Sequence, residues 1–418
     1  MKAERSATPP LPRATATVGT IFKIIRERGP LAASDIVRVT GLAKSTVSVN
    51  VDRLLAAGLV REEWRPDSKR RRLKLAEKAG CVVGVDVGQT HLAVGLCDLE
   101  AVILERRRVP LALSTEPPES VLERASALID ELAGRARVDR PDLFGMAVGV
   151  PGPVDYARRI PVCPPFMPGW DGFPLASRLA ERFGCPVFLD NDANVMALGE
   201  RDRGAAQQVD DFMFVKIGTG IGAGLVVRGE IYRGAKGAVG DVGHIGLDGA
   251  ETLCRCGNRG CLEAVAGGAA LRGKAEEALR EGRSSFLAQR SAQGHPVDAT
   301  LLAQGAAAGD ETCLTLLMDS ATAIGNVLAK LVNFFNPSLI VVGGGVALAG
   351  ERYLASIREV VYRRSTPLAT SDLVVKKSAL GEECGVVGAA VLVLDEILSH
   401  RNVLSLVSSR HELASPIS

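Results

Sequence analysis

The sequence predicts an α/β protein of more than one domain, headed by a small winged helix-turn-helix module. Three observations carry this. Apolar residues recur at helical spacing in three short segments between Gly19 and Gly58, and each segment stops at a glycine. From Cys81 onward the pattern changes to apolar, strand-like runs separated by glycine turns. The charge is also split: residues 1–80 hold 17 Lys and Arg against 8 Asp and Glu, a balance of +9, and the remainder holds 33 against 40, a balance of −7. Such segregation suits a nucleic-acid module joined to a small-molecule domain, because phosphate attraction helps only the first. At 418 residues the chain exceeds one ordinary domain and suggests two or three.

In the head, Gly19 to Arg28 carries Ile21, Ile24 and Ile25 on one face and ends at Gly29-Pro30. SDIVRVTG follows, with Ser34 as expected N-cap and Gly41 as stop, and AKSTVSVNVDRLLAAG then runs through Val47, Val51, Leu54 and Leu55 to Gly58. The pair reads as helix-turn-helix. LVREEWRPDSKRRRLKLAE reads as two strands around a basic turn at Pro66-Asp67-Ser68, the wing. The second helix of the pair would enter the major groove, so Lys44, Ser45, Thr46, Ser48 and Asn50 are candidate base or phosphate contacts. Lys69, Arg70 and Arg71 would touch phosphates from the wing, adding affinity without sequence information.

Hydrophobic residues at 47% and charged residues at 23% describe a water-soluble globular protein, and no apolar run approaches the roughly 20 residues of a membrane span. The start, MKAERSATPPLPRATATVG, lacks the apolar stretch of a secretory signal. Nine cysteines suit a reducing compartment, so the cytoplasm is the expected location. Residues 241–263, DVGHIGLDGAETLCRCGNRGCLE, place His244, Cys254, Cys256 and Cys261 at a spacing that closes a tetrahedral metal site. Three thiolates and an imidazole select zinc, and a shell with no vacancy makes the ion structural.

GVPGPVD at 149–155, PGW at 168–170, NDANVMALGE at 191–200, GTGIGAG at 218–224, the cysteine segment and VVGGGVA at 341–347 together resemble the ROK family, named for repressors, open reading frames and kinases. The likeness runs from about residue 15 to about 395. It implies a two-lobed actin-like ATPase fold of the ROK sugar-kinase type behind the winged helix. Nucleotide and sugar would share the cleft between lobes, with the zinc module beside the sugar. The expected limits are 1–78 for the head, 79–195 for the first lobe, 196–384 for the second lobe with the zinc module, and 385–418 for a helix packing back on the first lobe plus a tail. No internal repeat is visible, residues 282–299 read as a surface connection, and 320–336 as a core or dimer helix.

The resemblance also implies roles for single residues. Asp192 would be the base that takes the proton of the attacking hydroxyl in a kinase. Asn191, Asp192, Asp241, His244 and Glu263 would hold sugar hydroxyls, His244 serving metal with one ring nitrogen and sugar with the other. Asn191 and Asp192 are also suited to capping the helix that starts at Ala193. Asp86, Gly88 and Thr90 form the first phosphate loop, and Gly218, Thr219, Gly220 and Gly222 the second, where bare backbone lets N–H groups approach phosphate oxygens. Gly343, Gly344 and Gly345 would lie against adenine or ribose.

Three residues depart from the family kinases. Gln89 replaces a loop glycine, His91 replaces a Lys or Asn, and Asp241 replaces a glutamate. The first two put nucleotide binding in question, and the third leaves the sugar open. Members with a winged helix keep the cleft as a sensor, so the resemblance implies a sugar-responsive repressor of carbohydrate metabolism. Its partners would be operator DNA, a sugar or sugar-phosphate effector, and a second copy in a homodimer or dimer of dimers, with no membrane. The alternative is an ATP-dependent, glucokinase-like sugar kinase using Mg²⁺ and ATP, or a protein doing both.

Overall fold

A computed structural model of the chain describes residues 18–64, 71–76, 79–165 and 167–397. The first unit holds α1 (Val18–Arg28), α2 (Ala33–Thr40), α3 (Lys44–Ala56) and an antiparallel pair, β1 (Val60–Glu63) and β2 (Arg72–Leu75). Ile21, Phe22 and Ile25 of α1 meet Ile36, Val47, Leu54, Leu59 and Leu73 in one buried cluster, as the periodicity predicts. The segment containing Ser34 begins earlier than expected, at Ala33. Ser34 therefore sits inside the first turn, and the Asp35 carboxylate accepts from the Ala32 N–H at 3.2 Å in its place. Leu54 is fully buried, so Leu54→Ala is expected to cost about 2–5 kcal/mol, read as a lowered denaturation midpoint of the head.

The body is built twice on one plan. In the first lobe, β3 (Cys81–Val87), β4 (His91–Asp98) and β5 (Ile103–Pro110) form an antiparallel meander. After α4 (Pro118–Ala136), β6 (Leu143–Val150) pairs parallel with β3. A small hairpin, β7 (Val154–Asp155) and β8 (Ile160–Pro161), and α5 (Leu175–Phe183) lead to β9 (Val187–Asn191), giving the order β5-β4-β3-β6-β9. Next come α6 (Asp192–Arg203) and the second lobe, with β10 (Phe212–Ile217), β11 (Ile221–Val227), β12 (Glu230–Ile231), α7 (Leu262–Ala266), α8 (Gly268–Arg280), α9 (Ser285–Ala292), α10 (Ala299–Ala307) and α11 (Glu311–Phe335). The chain ends with β13 (Leu339–Gly343), α12 (Glu351–Arg364), α13 (Pro367–Thr370), β14 (Val374–Lys377) and α14 (Cys384–Ile397). Its sheet order, β12-β11-β10-β13-β14, repeats that of the first lobe strand for strand.

The lobes meet through α6 and α14. The last helix packs on α6 and on the first-lobe strands β3 and β6, while α6 also lies on β10 and β11. Their crossing is closed by glycine: a Cβ added at Gly388 would lie 1.8 Å from the Val195 carbonyl oxygen, and one at Gly199 2.8 Å from that of Cys384. On the other side of α6, a Cβ at Gly224 would come within 2.5 Å of the Ala193 oxygen. The far end of α6 holds the head. Arg26 of α1, its side chain 3% exposed, donates to Asp202 at 2.9 Å and to the Leu99 carbonyl at 3.1 Å.

One expectation about helices changes. Residues 285–292 form α9, because the Ser284 hydroxyl accepts from the Leu287 N–H and Leu287 is wholly buried. Helix α11, 25 residues long, contains the 320–336 stretch expected as a core or dimer helix and is apolar enough to cross a membrane by length and composition. Here Leu317, Ala321, Ile324, Leu328 and Val332 bury it in the second-lobe core.

Candidate functional site

Strand β3 and helix α6 bring two buried carboxylates together. Asp86, 2% exposed, is the next-to-last residue of β3; Asp192, 6% exposed, opens α6. Lys216 of β10 is hydrogen-bonded to the Asp192 carboxylate, and its charge also acts on Asp86. His91 Nε2 lies 3.1 Å from Asp86 Oδ2, and the other Asp86 oxygen is buried without a hydrogen-bond partner. Burial opposes the Asp86 charge, yet His91 and Lys216 outweigh it and hold the pKa below the ordinary aspartate value. Burial also works to neutralise Lys216, but Asp192 and Asp86 lift it above the ordinary lysine range, so the ammonium persists. Asp192 is pushed up by burial and pulled back by Lys216.

Asn191 is the N-cap of α6. Its Oδ1 accepts from Ala193 N at 2.9 Å and Asn194 N at 3.4 Å, and its Nδ2 donates to the Gly152 carbonyl at 2.9 Å. Glu263, at the start of α7, accepts from the Ile221 N–H at 2.9 Å, and a Cβ at Gly220 would strike its carboxylate at 2.1 Å. A side chain at 220 would therefore displace that carboxylate from its place. Only Gly218, Thr219 and Gly220 form the turn between β10 and β11, while Gly222 lies within β11 opposite Lys216. Gly343 and Gly344 have packing reasons of their own: a Cβ would meet the Phe214 ring at 2.5 Å and Ile217 backbone at 2.5 Å, and Gly344 has φ 90°. Gly345 has open space. In the first loop, the His91 ring fills the room over Gly88, 2.2 Å from where a Cβ would stand, while Thr90 is exposed. Asp241 is exposed, near enough to Glu263 for its charge to act on it.

The four expected metal ligands converge. One donor atom from each of His244, Cys254, Cys256 and Cys261 lies within 4.8 Å of every other. The Sγ atoms of Cys256 and Cys261 are 3.7 Å apart, and Cys254 Sγ is 3.6 Å from His244 Nδ1. Tetrahedral zinc with its usual bond lengths spaces two sulfurs by about 3.8 Å and a sulfur and nitrogen by about 3.6 Å, so the set fits the ion. Because Nδ1 faces the sulfurs, Nε2 is the ring nitrogen left for another partner.

On the head, Lys44, Ser45, Thr46 and Ser48 are exposed along α3. Asn50 turns back on its own helix, donating to the Thr46 carbonyl at 2.9 Å, and Val49, unmarked by its sequence, is 52% exposed on the same helix. Arg71 pairs with Glu62 at 2.8 Å, while Lys69, Arg70 and the turn at 66–68 lie outside the described residues. So do residues 398–418, expected as a tail. Two features of the body escaped the sequence reading. Lys216 was one, although a lone charge in FMFVKI marks it. The other is Asp190, which binds Arg233 at 2.7 Å; that guanidinium lies 3.8 Å over the Tyr156 ring, and Tyr156 donates to Glu396 at 2.5 Å. These partners are too distant in sequence for local pattern to pair them.

The MarR family profile matches residues 15–72, the winged head, and the ROK family profile matches residues 82–396. The xylose repressor of Caldicellulosiruptor bescii is 28% identical over 384 residues, 91% of this chain and 95% of the repressor. A ROK family transcriptional regulator, a homologue of the Escherichia coli Mlc protein, superposes with a TM-score of 0.81 at 25% identity, covering 94% of this chain and 98% of its own. A ROK family glucokinase from Streptomyces griseus, solved with glucose and AMPPNP, is 30% identical with a TM-score of 0.67, covering 75% of this chain and 99% of its own. The duplicated lobes, the winged head and the matched length lead to one assignment: the chain belongs to the ROK family, as an actin-like α/β body preceded by a winged helix-turn-helix.

Proposed function

We propose that the chain is a sugar-responsive transcriptional repressor of carbohydrate metabolism, whose head holds operator DNA and whose cleft holds a sugar or sugar phosphate. The observation that carries this is helix α6: its first residue, Asp192, is bound by Lys216 of the second lobe, and Asp202 in its last turn grips Arg26 of the head. In the cleft, Asp192, Asp241, His244 and Glu263 take sugar hydroxyls, with Asn191 placing the helix that carries Asp192. The His244–Cys254–Cys256–Cys261 set holds a structural zinc that fixes the loop leading to Glu263. Lys44, Ser45, Thr46 and Ser48 read or grip DNA, with Arg71 and the wing on phosphate. The working form is a cytoplasmic homodimer, alone or as a dimer of dimers, on inverted-repeat operators. The domain limits 1–78, 79–195, 196–384 and 385–418 belong to the same reading.

The direct test is a mobility shift of the full chain on its own upstream DNA, with and without candidate sugars and their phosphates. Sugar is expected to change the apparent affinity by about 5- to 150-fold, the usual range of allosteric coupling. Unchanged binding across the panel would sink the reading. A sugar kinase is the second reading, supported by the likeness to the glucokinase and by the position of Asp192. It requires Mg²⁺ and ATP, and phosphoryl transfer to a hexose that Asp192→Asn abolishes would establish it.

A further inference from the structure

We propose that the Lys216 ammonium is the resident counter-ion of this cleft, occupying the role of a divalent cation and excluding metal-bound nucleotide in favour of a sugar taken alone. This rests on the cleft being a sugar site, but on nothing about DNA. Asp86 and Asp192 come from separate elements, both are buried, and Lys216 is hydrogen-bonded to one while its charge acts on the other. Two buried carboxylates without a cation are unfavourable. One ammonium meets part of that need, and Asp86 still keeps one buried oxygen with no hydrogen-bond partner among the described residues. Take the ammonium away and what remains is a pair of hard oxygen donors with an unspent acceptor, the ligand type that divalent magnesium or manganese prefers.

Nucleotide phosphoryl transfer needs such an ion to bridge the phosphates and neutralise developing charge. With Lys216 in place, an arriving Mg²⁺ meets a fixed positive charge where it requires carboxylates. His91 reinforces this, since its ring lies over Gly88 and spends the second Asp86 oxygen. A neutral sugar needs no metal and is not opposed by the ammonium. Lys216 is therefore a specificity-determining residue, selecting which of two ligand classes the cleft accepts.

The test compares zinc-loaded full-length protein with Lys216→Ala, using Mn²⁺ followed by electron paramagnetic resonance and Mg²⁺ with AMPPNP followed by calorimetry. The wild type is expected to bind neither saturably at millimolar concentration. Lys216→Ala is expected to gain at least tenfold in Mn²⁺ affinity, and the added change Asp192→Asn should remove the gain. Lys216→Arg, which keeps the charge, should behave as wild type. If Lys216→Ala is unfolded alone, refolding in millimolar Mg²⁺ is the expected result, and failure to refold counts against the proposal. Saturable Mg²⁺–AMPPNP binding by the wild type, or unchanged Mn²⁺ affinity in Lys216→Ala, overturns it. Loss of operator binding in the same wild-type preparation would count against the repressor reading and leave the ion result standing.

Discussion

Cys256→Ser is expected to strip the ion from the protein and abolish sugar binding while leaving the head able to hold DNA. Cys256 is the exposed member of its cluster, so its thiol fills no core space and the substitution opens no cavity. Any large effect must come through the metal. Structural zinc contributes about 10–16 kcal/mol of apparent binding free energy in small modules, far more than this loop could recover from its own packing. Cys261 caps the short helix that carries Glu263, so an unanchored loop leaves that carboxylate without a fixed position. Elemental analysis should fall from one zinc per chain toward none, and the sugar-induced rise in melting temperature should vanish. A variant that keeps its zinc, or loses zinc yet keeps the sugar response, would contradict this.

Gly388→Ala should be among the most damaging single-methyl additions in the body. The new Cβ would stand 1.8 Å from one backbone oxygen and 2.6 Å from the carbon bonded to it, and backbone cannot rotate aside as a side chain can. The two helices must separate, and about 3 kcal/mol or more of stability is expected to be lost. Gly134→Ala is the control, because nothing lies within 4 Å of its Cβ position on an equally regular helix. A denaturant melt in which both variants unfold at the wild-type midpoint would show that the crossing is looser than its geometry.

How much of this was legible in the sequence depended on distance along the chain. The head was readable because its helices announce themselves by periodicity and stop at Gly41 and Gly58, both with positive φ. The metal set was readable because three of its ligands fall within eight residues, a spacing only local folding must honour. The doubling of the lobes was not, since it lives in strand order and not in residue identity. Nor was the balance of charge around Asp86, whose partners come from residues 91 and 216. The glycines were legible only in part: Gly343 and Gly344, read as a ligand surface, also have close packing neighbours in Phe214 and Ile217, whereas nothing local marks Gly388 as the point where the last helix crosses α6.

Helix α6 is a stiff tie between two charged anchor points. Ten residues separate Asp192 from Asp202, about 15 Å of α-helix. With Gly224 on one flank and Gly388 on the other, neighbouring backbone packs against the helix on both sides with no room for a side chain between. A single helix, with no loop interposed, thus ties the carboxylate held by Lys216 to the guanidinium that moors the head.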